Sequence, residues 1–95
     1  MTAKERAALR GQANTLETIY QIGKDGIDEA LVRGVGEALK ARELIKLRLQ
    51  DGALLDIREA AEELAKQLDA EVVQVIGRRF VLYKQNREIN RYGIK

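Results

Sequence analysis

Apolar positions along this 95-residue chain follow two rhythms, and the switches between them mark out its elements. Recurrence at three- and four-residue steps signals an amphipathic helix, and strict alternation signals a half-buried strand. Thr2-Ala3-Lys4-Glu5 has the form of a capping box, in which Thr2 and Glu5 satisfy each other's backbone amides. It predicts a first helix from about Ala3 to Ala13, ending near Asn14. Thr18-Ile19-Tyr20-Gln21-Ile22 is short, β-branched and aromatic, hence a strand, and Gly23-Lys24-Asp25-Gly26 breaks it. Ile27, Leu31, Val35, Ala38 and Leu39 then define an amphipathic helix over 28–41, with Asp28 as its N-cap. Gly34 and Gly36 each weaken that helix by about 1 kcal/mol relative to alanine. Either the backbone packs closely on a neighbour there, or the helix is soft.

From Leu44 to Leu49 the pattern alternates, with Ile45, Leu47 and Leu49 on one face and Lys46 and Arg48 on the other. Asp51-Gly52 marks a turn, and Ile57, Ala61, Leu64 and Leu68 continue at helical spacing to about Asp69. Val72–Ile76 and Arg79–Tyr83 read as two strands about a tight turn at Gly77-Arg78. Tyr20, Phe80 and Tyr83 fall in strands and read as core. The last twelve residues show neither rhythm.

The resulting order, α-β-α-β-α-β-β, predicts an α/β (α+β two-layer) fold with helices packed on a mixed four-stranded sheet. Each β-α-β step favours a parallel pair, and the final hairpin is antiparallel. Residues 1–84 make one domain, and residues 85–95 read as a basic, mobile tail.

Composition removes most chemistries. Cysteine, histidine, serine, proline and tryptophan are all absent. A disulfide framework, a thiolate or imidazole metal site, and Ser-His or Cys-His nucleophiles are therefore excluded. No G-K-[ST] loop is present either. The paired carboxylates at Glu59, Glu62 and Glu63 have no other ligand type nearby and read as a solvent face. The expectation is a protein without enzymatic activity, metal, cofactor or small-molecule substrate. No apolar signal region follows Met1, and no apolar run approaches the ~20 residues of a membrane span, so a cytoplasmic location is expected. A monomer is expected as well.

Net charge is only +2 but is unevenly spread. The last twelve residues carry Lys84, Arg87, Arg91 and Lys95 against Glu88 alone, whereas residues 55–70 are acidic. Such separation suits a protein with one face toward a polyanion. The feature most suggestive of chemistry is Gly23-Lys24-Asp25-Gly26, between the first strand and the second helix. Glycines let a bulky ligand approach the backbone, and a helix N-terminus favours a phosphate. Lys24 adds a full charge, partly offset by Asp25. A G-x-x-G loop of this kind clamps the nucleic-acid backbone in KH domains. Arg10, Lys46, Arg48, Arg78, Arg79, Lys84 and Arg87 are the further candidates for phosphate contact, and Tyr92 for base stacking.

Several blocks occur in a telling order: Leu9 to Leu16, Gln21 to Ile27, Ala41-Arg42-Glu43-Leu44-Ile45-Lys46-Leu47, Val73 to Gly77, and Val81 to Lys84. Together they resemble the YhbY-like proteins, stand-alone versions of the CRM (chloroplast RNA splicing and ribosome maturation) domain. The resemblance implies a fold similar to the C-terminal domain of translation initiation factor 3. It also implies RNA as partner, specifically ribosomal RNA of large-subunit precursors, and a role in ribosome assembly. It places the family's G-x-x-G loop at Gly23–Gly26 and adds Arg42 to the candidate contacts, through the block Arg42–Lys46. Three departures stand out: the glycines at 34 and 36, a short connection around Asp51-Gly52, and Asp25 where a neutral or basic residue is expected. The alternative reading is a protein-interaction module without direct RNA contact.

Overall fold

The computed structural model describes residues 1–94; Lys95, counted above with the basic tail, lies outside them. Helix α1 (Ala3–Ala13) is opened by the expected capping box, with the Glu5 amide donating to Thr2 Oγ1 at 3.1 Å and the Thr2 amide to Glu5 Oε1 at 2.9 Å. Strand β1 (Thr18–Ile22) leads to α2 (Glu29–Arg42), which Asp28 caps by accepting the Leu31 amide at 2.8 Å. Strand β2 (Leu44–Leu49) is followed by the connection of residues 50–56. Asp56 then caps α3 (Ile57–Leu68) by accepting the Glu59 amide. Strands β3 (Glu71–Ile76) and β4 (Arg79–Tyr83) complete the chain order. No helix among the described residues is long and apolar enough to cross a membrane.

The sheet order is β1-β2-β4-β3. β1 and β2 pair in parallel, as the β-α-β rule requires, and β3 and β4 form the antiparallel hairpin. The second expected parallel pair does not form: β4 inserts between β2 and β3 and pairs antiparallel with β2. Burial explains the insertion. Phe80, Val81, Leu82 and Tyr83 are apolar on both faces and all buried, so β4 requires a neighbour on each side. β3 keeps Glu71 and Ile76 exposed and is suited to an edge.

α2 and α3 cover one face of the sheet, where Ile45, Leu47, Leu49, Phe80 and Leu82 pack with Val35, Leu39, Ala61 and Leu64. These are the two layers the sequence predicts. α1 lies on the opposite face, where Leu9 and Ala13 cover Leu44, Val73, Val81 and Tyr83, with Tyr92 and Ile94 packed alongside. Among the described residues, the segment after β4 carries no helix or strand, but it is not detached. Glu43, fully buried at the α2–β2 junction, accepts the Asn86 amide at 2.7 Å and the Arg91 amide at 2.6 Å.

The glycines of α2 also find their reason. A Cβ at Gly34 would lie 2.6 Å from the Tyr20 hydroxyl and 3.0 Å from its Cζ, and one at Gly36 would meet Leu68 at 3.2 Å. Close packing, not softness, puts them there. Gly11 in α1 has open space around the same position. Gly11→Ala is therefore expected to stabilise by about 0.5–1 kcal/mol, raising the melting temperature by roughly 2–8 °C. Gly34→Ala, with the same propensity gain, is expected to lower it, because the rigid Tyr20 ring must shift. Thermal melts of the two variants check this; a Gly34→Ala protein that melts above the parent would show that the ring gives way freely.

Candidate nucleic-acid interface

The G-x-x-G loop leaves the carboxyl end of β1, next to the carboxyl end of its parallel neighbour β2, where Ile22 pairs with Leu49. The Gly26 amide donates to the Gly23 carbonyl at 3.1 Å and closes the turn. Gly26 has φ +76°, a conformation that disfavours any side chain. Lys24 and Asp25 are exposed at the tip and form no ion pair among the described residues. At the N-terminus of α2, Asp28 already takes the Leu31 amide. Phosphate attraction here falls to Lys24 and the loop amides.

A second loop, residues 50–56, supports the first. The Gln50 amide donates to the Ile22 carbonyl at 2.8 Å, the Gln50 side chain lies 3.3 Å from a Cβ position at Gly23, and Leu55 lies 3.3 Å from one at Gly26. Beside this pair of loops stand three arginines. Arg48 and Arg79 occupy one register position on β2 and β4, and Arg78 forms the hairpin turn. Arg48 reaches Gln21 Oε1 and Asp51 Oδ2, both at 3.3 Å. Arg78 donates to the carbonyls of Leu49 at 3.2 Å and Gln50 at 2.6 Å, and pairs with Asp51 Oδ1 at 2.9 Å. Arg79 is exposed and has no ion-pair partner among the described residues.

The sequence-predicted residues thus divide. Gly23, Lys24, Asp25, Gly26, Arg48, Arg78 and Arg79 converge at one end of the sheet. Lys46, half-buried, precedes Arg48 on the same strand face, and α1, which bears exposed Arg10, packs on that side of the sheet. Arg42, Lys84 and Arg87 gather at the opposite end, a strand length of roughly 20 Å away. There the Lys84 ammonium donates to the Leu68 carbonyl at 2.8 Å, a helix C-terminal cap. Arg42 and Arg87 are exposed.

Aromatic stacking has little to work with. Phe80 and Tyr83 are buried, Tyr20 is pressed against α2, and Tyr92 packs edge-on against Tyr83 with ring centroids 6.4 Å apart. The surface therefore offers charge and backbone amides, the groups that position phosphates, rather than platforms for bases. Sequence reasoning missed Glu43 and Asp51. The first was visible only as an acidic residue in an otherwise apolar and basic junction; the second was read as a turn residue alone.

Residues 1–84 match the CRS1/YhbY (CRM) domain family. The chain is 39% identical over 88 residues to the probable RNA-binding protein YqeI of Bacillus subtilis, covering 93% of this chain and 92% of that protein. It is also 39% identical over 97 residues to the probable RNA-binding protein MJ0652 of Methanocaldococcus jannaschii, covering all of this chain and 72% of that one. The solution structure of SAV1595 from Staphylococcus aureus superposes with a TM-score of 0.78 at 37% identity, over 90% of each chain. A β1-β2-β4-β3 sheet with a G-x-x-G turn at the end of its parallel pair, and a family match spanning nearly the whole sequence, together place the chain in the CRS1/YhbY (CRM) domain family.

Proposed function

We propose that the protein binds structured RNA by its phosphate backbone, acting as a cytoplasmic monomer and by binding rather than catalysis. The convergence of the G-x-x-G loop with Arg48, Arg78 and Arg79 at one end of the sheet carries this reading. The names of its relatives as probable RNA-binding proteins support it. Its partner is the ribosomal RNA of large-subunit precursors, the role that the resemblance to YhbY-like proteins implies. Bound there, it holds an RNA fold or occupies a site until assembly proceeds. Lys24 and the loop amides grip phosphates, and the basic residues of β2, the hairpin turn and α1 widen the contact. Residues Arg42, Lys84 and Arg87 add sequence-independent attraction at the far end.

Sedimentation of a tagged form from cell lysate tests the partner. Co-migration with large-subunit precursors, lost at high salt, is expected of electrostatic docking on ribosomal RNA. A protein that stays at the top of the gradient in both conditions does not form a stable assembly complex. Salt-independent association that survives nuclease points instead to a protein partner.

Lys24→Glu tests the loop. Hydrogen bonds to charged groups contribute about 1.5–3 kcal/mol, so reversing this charge is expected to weaken RNA binding by about tenfold or more. Its melting temperature stays near that of the parent, because the exposed side chain has no ion-pair partner among the described residues. Unchanged affinity in fluorescence anisotropy would remove the loop from the interface.

A further inference from the structure

The arginines beside the loop are not idle in the free protein. Arg48 lies on β2 and Arg78 in the β3–β4 turn, yet both point at the carboxylate of Asp51, at 3.3 and 2.9 Å. A single carboxylate with one oxygen toward each guanidinium occupies the place a bridging phosphate would take. The match in chemistry is close, since carboxylates and phosphates are both recognised through the same planar fork of N–H donors. The pairing is also incomplete. Among the described residues, the Arg48 Nε is buried without a hydrogen-bond partner, and Arg79 stands beside Arg48 with no acid paired to it. Two guanidiniums thus share one carboxylate and a third stands unpaired beside them, leaving an unfilled demand for negative charge.

Asp51 itself is easily displaced. Its side chain is 73% exposed, it lies in the connection between β2 and α3, and Gly52 follows it at φ +85° with open space around its Cα. Exposed ion pairs of this kind are weak and yield to a better-placed anion. Arg78 does not depend on Asp51 for its position, because the Leu49 and Gln50 carbonyls hold it as well.

From this geometry we infer that Asp51 is a built-in competitor for RNA phosphate: it holds the Arg48–Arg78 pair in the free protein and gives way to a backbone phosphate when RNA docks. The inference rests on the RNA-binding reading above and adds to it a second phosphate site, next to the G-x-x-G loop and gated by an intramolecular acid. Two consequences follow. The arginine pair is kept in register for its ligand without RNA present, and stray anions must displace a tethered carboxylate, so the site favours a multivalent polyanion.

The test is a set of single and double variants titrated into a fluorescein-labelled RNA hairpin with single-stranded arms. Asp51→Asn is expected to tighten binding about three- to tenfold, with a melting temperature close to the parent. Glu62→Gln, on the exposed acidic face of α3, changes net charge equally and is expected to leave affinity within about twofold. In an Arg48→Gln, Arg78→Gln background, the gain from Asp51→Asn disappears, since the competitor then has nothing to guard. A gain that persists in that background, an equal gain from Glu62→Gln, or no gain from Asp51→Asn would each overturn the competitor role while leaving RNA binding itself intact. Failure of the parent and of Asp51→Asn alike to bind the RNA would overturn both readings.

Discussion

Replacing Glu43 by alanine is expected to destabilise the protein by about 3 kcal/mol, lowering its melting temperature by roughly 12 °C or more. Glu43 is fully buried, an uncommon place for a carboxylate unless it is thoroughly hydrogen-bonded. Its two oxygens accept the Arg91 amide at 2.6 Å and the Asn86 amide at 2.7 Å, short distances typical of charge-assisted bonds. Its backbone is equally committed, with the amide on the Leu39 carbonyl at 2.8 Å and the carbonyl accepting from Lys84 at 2.9 Å. Truncation would leave two backbone donors without acceptors, each costing about 1–3 kcal/mol. Hydrogen exchange should show the Asn86 and Arg91 amides losing protection before those of the sheet.

The same position carries backbone strain. Glu43 has φ +65°, which costs an L-residue roughly 1–2 kcal/mol and costs glycine almost nothing. Glu43→Gly should therefore be less damaging than Glu43→Ala, although it removes the same carboxylate. Glu43→Gln keeps one acceptor but turns an NH₂ donor toward the other amide, and should fall between the parent and alanine. Denaturant titrations of the three variants give the ranking. An alanine variant as stable as the parent would mean that the C-terminal segment is held by its apolar contacts alone.

Local signals carried most of the fold. The capping box at Thr2, the caps at Asp28 and Asp56, and the alternation in β2 act over a few residues, so the element boundaries could be read within a residue or two. The strand order could not, because the insertion of β4 depends on competition for burial between strands, and the β-α-β rule speaks only of consecutive ones. The glycines of α2 posed a question that the sequence framed correctly and could not answer, since the neighbour that needs the space, Tyr20, sits on another strand. The candidate site divides the same way. Its loop was legible as a motif. That Arg48, Arg78 and Arg79 would meet there, while Arg42, Lys84 and Arg87 would lie at the other end, followed only from strand direction and register. Glu43 and Asp51 act across the fold on groups that periodicity does not connect with them, and so passed as a junction residue and a turn residue.

Alkaline pH should weaken the fold through one phenol, Tyr83. Burial, reinforced by the carboxylates of Glu43 and Glu5, pushes its pKa up from 10.0 to about 12. The neutral phenol is thus the form the folded protein tolerates, while the unfolded chain is free to ionise from pH 10 upward. Between these two values the unfolded state holds fewer protons than the folded one, so stability falls as pH rises. The contribution is intact below about pH 10 and is lost progressively toward pH 12, for a total of about 2–3 kcal/mol. The hydroxyl gains nothing in return, since Tyr83 Oη is buried without a hydrogen-bond partner among the described residues. Tyr83→Phe keeps the ring that packs under α1 and edge-on against Tyr92. It is therefore expected to match or slightly exceed the parent at neutral pH, by up to about 1 kcal/mol. Guanidinium denaturation of both proteins across the alkaline range isolates the phenol, because every other titrating group is common to the pair. The two curves should separate above about pH 10, with the phenylalanine variant the more stable. Parallel curves would mean that the folded protein admits the phenolate at no cost and that the ring is more open to water than its 3% exposure indicates.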